Sequence, residues 1–285
     1  MNPYHRYVSE LARLVAEGRR FPLGGFPIEP RPELAADAPK ALIFSPHPDD
    51  ECIIGGLALR LMRESGMRII NVAVTQGSNK SRQPARLVEL KAACEYLGFD
   101  LIQTATSGLE QINVKTRTNE PAQWSASVDV IARIIADARP TVVFFPHDTD
   151  WNSTHIGTHY LLVDALARQS AGFSCQVVET EFWGAMATPN LMVESSVADL
   201  ADMMSALSFH VGEVQRNPYH LLVPAWMQDN VRRGGELVGG QGGAAPDFVF
   251  CTLYRWRRWT NGQLQTTYSG GRNLPANVSA STLFV

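Results

Sequence analysis

The chain reads as an α/β protein, a Rossmann-like, mostly parallel sheet with helices on both faces, plus a C-terminal extension. Three observations predict this. Short apolar runs alternate with longer stretches of helical period. Two of the runs, Ala41–Ser45 and Thr141–Phe145, end in polar loops that carry histidine. The last third loses the alternation and shows paired glycines and an aromatic-rich strand instead. Strand–helix alternation at this spacing is the signature of βαβ units.

Residues 4–18 carry Tyr4, Val8, Leu11, Leu14 and Val15 at near-helical spacing and predict an amphipathic helix. The stretch 21–38, rich in proline and holding Gly24-Gly25, predicts an extended connector. Strand 41–45 leads to helix 52–65, strand 69–75 to helix 84–97, strand 101–105 to helix 125–138, and strand 141–146 to helix 156–168. A fifth strand is expected near 175–182, a helix near 196–211, and a further strand over 248–256. Leu87, Leu90, Cys94 and Leu97 form the buried stripe of one helix; Val128, Ile131, Ile135 and Ala138 form that of another. The division expected is 1–40 for the helix and connector, 41–215 for the α/β domain, and 216–285 for an extension packing on that domain as a lid or interface. Gly234-Gly235 and Gly239-Gly240-Gln241-Gly242-Gly243 suggest mobility there. Arg255, Arg257 and Arg258 among Trp256 and Trp259 suggest a stacking or interface patch.

Composition narrows the function classes. A hydrophobic share of 45% supports a sizeable core, and a net charge of −3 argues against nucleic acid or an anionic membrane as partner. Cys52, Cys94, Cys175 and Cys251 are widely spaced, without a C-x-x-C pair, and read as reduced core thiols of a cytoplasmic protein. No run of about 18 apolar residues predicts a spanning helix. A homo-oligomer is compatible with all of this.

The chemistry concentrates in Pro46-His47-Pro48-Asp49-Asp50-Glu51, between a strand's C-terminal end and a helix. Three adjacent carboxylates repel one another in low dielectric, and a divalent cation is the simplest offset. Three of the chain's seven histidines, His147, His155 and His159, fall in the loop and helix start after the strand 141–146. Two such loops at one edge of a parallel sheet converge. His47 and Asp50 with one histidine of the second loop make a two-His-one-carboxylate site with positions open for water and substrate. Asp49 is placed to take a proton from an attacking water. Glu51 is read as a helix cap or as support for a ligand.

These motifs resemble the LmbE-like/PIG-L family of metal-dependent deacetylases. Thr75-Gln76-Gly77, Arg86-Leu87-Val88-Glu89-Leu90 and Ala206-Leu207-Ser208-Phe209-His210 are weaker matches, so that the resemblance covers roughly 40–215. It implies removal of the N-acetyl group from an N-acetylglucosamine-type amino sugar or its conjugate, with Zn2+ as cofactor or another divalent metal such as Fe2+. It implies His155 as the third ligand and Asp49 as the base. It also exposes a departure, because Asn152 stands where the family usually has an ionisable histidine. An amide donates to an oxyanion but supplies no proton at neutral pH. Asn152 is therefore expected as an oxyanion donor, with His210, His147 or protonated Asp49 as acid, and His210 taken as first choice. Arg86 is expected to bind substrate hydroxyl or phosphate groups. Two rival readings are an amidohydrolase removing a longer acyl chain, with Phe182, Trp183 and Met186 as the acyl pocket, and a non-catalytic nucleotide-binding module. The second lacks a G-x-G-x-x-G after the first strand.

Overall fold

A computed structural model describes residues 2–28 and 33–284. In chain order the helices are α1 (Pro3–Gly18), α2 (Asp50–Ile53), α3 (Leu57–Ser65), α4 (Gln83–Leu97), α5 (Val114–Asn119), α6 (Pro121–Ala138), α7 (Ser153–Leu166), α8 (Val197–Ser208), α9 (Val211–Val214) and α10 (Val223–Leu237). The strands are β1 (Lys40–Ser45), β2 (Arg68–Ala73), β3 (Asp100–Gln103), β4 (Val142–Pro146), β5 (Cys175–Thr180), β6 (Leu191–Glu194), β7 (Cys251–Thr260), β8 (Gln263–Thr266) and β9 (Arg272–Leu274). The expected connector is partly described; its residues 29–32 lie outside the described residues.

One sheet runs β3-β2-β1-β4-β5-β7-β6-β9, with β8 paired to β7. β1 through β5 pair in parallel, and β7 then joins β5 antiparallel. Leu42, Ile43 and Phe44 of β1 and Val142, Val143 and Phe144 of β4 are buried, as continuous apolar strands covered on both faces must be. Strand order reverses between β1 and β4, which pair through Ala41↔Val142 and Ile43↔Phe144. The crevice outside their C-terminal ends is the topological switch point, where open α/β sheets bind ligands. Both histidine loops leave the sheet there.

Several boundaries differ from expectation for identifiable reasons. The helix expected over 52–65 is broken into α2 and α3 at Ile54-Gly55-Gly56. Gly55 has φ +84°, and a Cβ there would lie 2.1 Å from Thr252 Oγ1 and 2.5 Å from Tyr254 Oη. Distant β7 thus presses against this turn, and only glycine fits. Helix α7 begins at Ser153 instead of 156, because Asn152 caps it, its Oδ1 accepting from the Thr154 N–H at 2.8 Å. Gly234-Gly235 lies inside α10; Gly234 packs against Leu253 and Met192, where a Cβ would come within 2.9 Å of each. Trp256 and Trp259 are core residues, and Arg255 and Arg257 pair with buried Glu179, so these side chains form no surface patch. Removing a side chain such as Trp256 would cost about 3–5 kcal/mol. All four cysteines are free and buried. No helix is long and apolar enough to cross a membrane.

Candidate active site

His47 follows β1, Asp50 opens α2, and His155 lies in the first turn of α7. His47 Nδ1 and His155 Nε2 are 3.2 Å apart, and Asp50 Oδ2 lies 3.4 Å from the first and 3.3 Å from the second. A tetrahedral site with metal–ligand distances of about 2.0–2.1 Å has edges of about 3.3 Å. Three ligand atoms of the right chemistry therefore already stand at the spacing of one tetrahedral face, and they fit a divalent ion. The His47 N–H also donates to Asp50 Oδ2 at 2.8 Å, which aims the carboxylate. Burial alone would raise the Asp50 pKa, but His155 and His47 hold it well below the carboxylate range. Burial works against a charged His155, yet Asp50 and Asp150 push it up to about 10.

Asp49 sits between the two first-loop ligands in sequence but faces a different way. Its backbone is in the left-handed region at φ +113°, a conformation that costs a non-glycine residue about 1–3 kcal/mol. The neighbourhood over-determines it. The Asp49 N–H donates to Glu51 Oε2 at 3.0 Å, and Glu51 Oε1 lies 2.7 Å from His210 Nε2. Asp49 Oδ2 accepts from Tyr219 Oη at 2.7 Å, and Arg86 Nη2 lies 3.5 Å away. Burial and the neighbouring Asp50 push the Asp49 carboxyl up to about 6. That places it in the range of a general base working near neutrality.

Two supporting residues escape sequence reasoning. Asp150 Oδ2 lies 3.6 Å from His155 Nδ1 and accepts from the Trp183 and Gly184 N–H groups, while Oδ1 accepts from the Asn152 N–H at 2.8 Å. It backs the imidazole and turns Nε2 toward the cluster, the usual partner of a ligand histidine. The only signal for it was an aspartate five residues before His155. Tyr219 stands in a short 3-10 turn, Tyr219–Leu222, beyond the motifs, with no local signal at all.

The remaining expected residues are placed as follows. Asn152 lines the cavity beside His47. Its Oδ1 is committed to the cap, so the amide NH2 is what it offers to a substrate. His210 is fully buried, and its Nε2 lies 2.7 Å from Glu51 Oε1. His147 Nε2 lies 2.8 Å from Gly184 O and Nδ1 3.0 Å from Thr149 Oγ1, so its ring is a loop brace. His159 Nδ1 lies 3.0 Å from Pro146 O, beneath the site. The Arg86 guanidinium donates to Pro48 O at 2.6 Å and lines the cavity wall. Gly77, at φ +81°, admits it; a Cβ there would lie 2.4 Å from Arg86 Nη1. Phe182 and Met186 are buried, Phe182 edge-on to the His155 ring, and only Trp183 of the three expected acyl-pocket residues is exposed.

Two open cavities meet at His47, Gly77, Ser78 and Asn152. One, of about 420 Å³, runs along Gln83, Gln111 and Asn113; the other, of about 370 Å³, runs over Asp49 toward Arg82, Arg86 and Arg216. Residues 42–166 match the family described as PIG-L: GlcNAc-PI de-N-acetylase. No curated protein sequence matches the chain. Similar solved structures include the N,N'-diacetylchitobiose deacetylase of Pyrococcus horikoshii, with 16% identity, TM-score 0.56, and coverage of 90% of this chain and 93% of that one. GalB, the 4-carboxy-2-hydroxymuconate hydratase of Pseudomonas putida KT2440, has 17% identity, TM-score 0.55, and coverage of 76% and 95%. A zinc-inhibited form of the teicoplanin deacetylase Orf2 has 15% identity, TM-score 0.54, and coverage of 77% and 98%. At such identities the likeness is one of fold, and a hydratase among the matches shows that this fold hosts more than one reaction. The stretch that matches the PIG-L (LmbE-like) family, residues 42–166, is the one that carries both histidine loops and the three converging His47, Asp50 and His155 side chains.

Proposed function

We propose that the protein is a metal-dependent hydrolase that removes the N-acetyl group from an N-acetylglucosamine-type amino sugar or its conjugate. The observation that supports this most is the His47–Asp50–His155 face with Asp49, a carboxylate of raised pKa, beside it. The family match and the deacetylases among the similar structures point the same way. When bound, a divalent ion, with zinc our first choice and Fe2+ the alternative, polarises the acetyl carbonyl and makes a water more acidic.

The chain's own residues do the rest. Asp49 takes a proton from the water that attacks the acetyl carbon. Tyr219 and Arg86 engage Asp49 Oδ2, leaving Oδ1 for that proton. The Asn152 NH2 donates to the developing oxyanion. The C–N bond then breaks, and Asp49 returns its proton to the leaving amine, giving acetate and a free amino group. Asn152 cannot supply that proton, and in this reading the buried His210 ring is engaged with Glu51. Glu51 and His210 hold the Asp49 backbone in its left-handed turn. The longer-acyl reading loses support, because Phe182 and Met186 are packed in the core.

The test is purified protein, loaded in turn with Zn2+ and Fe2+, assayed against a panel of N-acyl glucosaminides. We expect acetate release with little release of longer acids. A preference for longer acyl chains, or no acyl release with any metal, would overturn the reading. The two metals must be compared, since one similar deacetylase is described in a zinc-inhibited form.

A further inference from the structure

Helix α1 carries a stripe of large apolar side chains that the rest of the chain leaves uncovered. Tyr4, Tyr7, Val8, Leu11, Leu14 and Val15 are exposed, from 73% for Tyr4 to 39% for Val15, and Gly18 is the one buried residue of the helix. At about 100° per residue these positions all fall within about 60° of Leu11, so they make a single face. A contiguous apolar face of this extent marks an interaction site. Arg6, Glu10, Arg13 and Glu17 lie together on one flank of it. Arg13 bonds Glu10 at 2.7 Å and Glu17 at 2.6 Å, while Arg6 has no ion-pair partner among the described residues.

The stripe runs on into a groove. A Cβ on Gly18 would lie 2.8 Å from Leu221 Cδ2, so the end of α1 rests on the 3-10 turn Tyr219–Leu222. Leu221 and His220 of that turn line a groove of about 210 Å³ together with Phe21, Phe26 and Met204. His220 is only 7% exposed, and its Nδ1 is buried with no hydrogen-bond partner among the described residues. Such an atom is costly unless something meets it. Burial pushes the His220 pKa down, so the ring is neutral near pH 7. A hydroxyl, donor and acceptor at once, satisfies Nδ1 in either tautomer. Apolar walls for a ring and a nitrogen for a hydroxyl suit a tyrosine side chain.

Reversed, the stripe is complementary to itself. Laid antiparallel about Leu11, it sets Leu11 on Leu11 of a second copy, Tyr7 on Leu14 and Val8 on Val15. Tyr4 at one end then falls on Gly18 at the other, where there is room for it and where the groove begins. On the shared flank the same reversal brings Arg6 to Glu17 and Glu10 to Arg13, opposite charges in both cases. A parallel pair would set Tyr4 on Tyr4, leave a gap at Gly18, and crowd both α/β domains at one end. The antiparallel pair separates them by a helix of 16 residues, about 24 Å, and opposes the two helix dipoles.

We propose that two copies of this chain pair through antiparallel α1 helices, with Tyr4 of each seated in the groove of the other and its hydroxyl on His220 Nδ1. The experiment is sedimentation equilibrium of the full chain across the micromolar range. We expect the mass to rise to that of two chains. The double variant L11D/L14D should raise the dissociation constant at least about a hundredfold, since it places carboxylates in an apolar seam. Both side chains are exposed in the single chain, so circular dichroism should show the α/β domain intact. Tyr4→Phe should weaken pairing about five- to tenfold, the scale of one hydrogen bond; an unchanged constant overturns the His220 seat. Orientation is read by mild oxidation with glutathione disulfide, the native thiols being buried. V8C mixed with V15C should cross-link, and neither variant alone should, because like positions stand about 10 Å apart along the axis, beyond the reach of a disulfide. V8C cross-linking to itself means a parallel pair and overturns the proposal. A wild type that stays monomeric overturns it too. If that monomer binds vesicles of phosphatidylcholine and phosphatidylglycerol, the stripe is a membrane-docking face instead. None of these readouts depends on the reaction at His47, Asp50 and His155.

Discussion

In the loop after β1, two of the proposed ligands and the proposed base fall within His47 to Asp50. In the loop after β4, His147 to Asn152 supply none of the proposed ligands, and His155 stands in the first turn of α7. The first loop packs its three groups tightly by placing Asp49 in a left-handed conformation. That strain is held from outside, by Tyr219 and His210, which lie 170 and 159 residues away from their partners Asp49 and Glu51. The second loop uses ordinary helical geometry and a local brace. Asp150 ties together the N–H groups of Asn152, Trp183 and Gly184 and backs the His155 ring. A crowded reactive turn thus depends on distant parts of the chain, whereas a single ligand can be placed by its own neighbourhood.

The comparison breaks most sharply at the ligands. His155→Ala should lower bound metal well below one equivalent and abolish turnover, while His159→Ala, whose ring faces Pro146 O and Glu179 beneath the site, should keep the metal. Metal analysis of the two purified variants decides it; the reverse result would put the wrong histidine in the site. Next comes the base. Asp49→Asn should retain fold and metal but lose about 10²–10⁴ in kcat, the range for general-base catalysis. A variant with near-normal kcat removes Asp49 from the chemistry.

Asn152→Ala should cost roughly 10²–10³ in kcat, as loss of an oxyanion donor does. It also removes the α7 cap, worth about 0.5–2 kcal/mol, so its thermal stability should fall as well. A stability loss with intact kcat would leave Asn152 as a cap only. The brace and the outside clamp sharpen the contrast further. Asp150→Asn should weaken metal binding about 10–100-fold, the effect of removing a partner from a ligand histidine. Tyr219→Phe should leave metal binding unchanged and lower kcat about tenfold, since it removes one hydrogen bond to the base. If Tyr219→Phe strips the metal instead, the first loop depends on its clamp for its shape as well as for its chemistry.

Hydrophobic patterning determined the parallel core of this protein, because a strand buried on both faces is dominated by apolar residues: β4 is apolar throughout, and the buried parts of β1 and β2 depart from this only at Ser45 and Asn71, whose side chains bond each other at 2.7 Å. The clustering of His47, Asp50 and His155 was legible for a related reason. Strand-end loops of one parallel sheet converge, so His47, Asp50 and His155 could be brought together from loop position and motif. Tertiary structure alone decided what surrounds them. Gly55 breaks the first helix because Thr252 and Tyr254 press on it from β7, and nothing in the local stretch records their approach. His210 lies in a matching motif, yet it faces Glu51, since a motif carries no information about which layer a side chain reaches. Tyr219, Arg216 and Glu213 have no periodicity or spacing to mark them, and they enter the site only because the chain beyond α8 returns over the end of the sheet. Local sequence sets secondary structure and the direction of each loop. Contacts made across 100 residues or more depend on packing, and packing is a property of the whole chain.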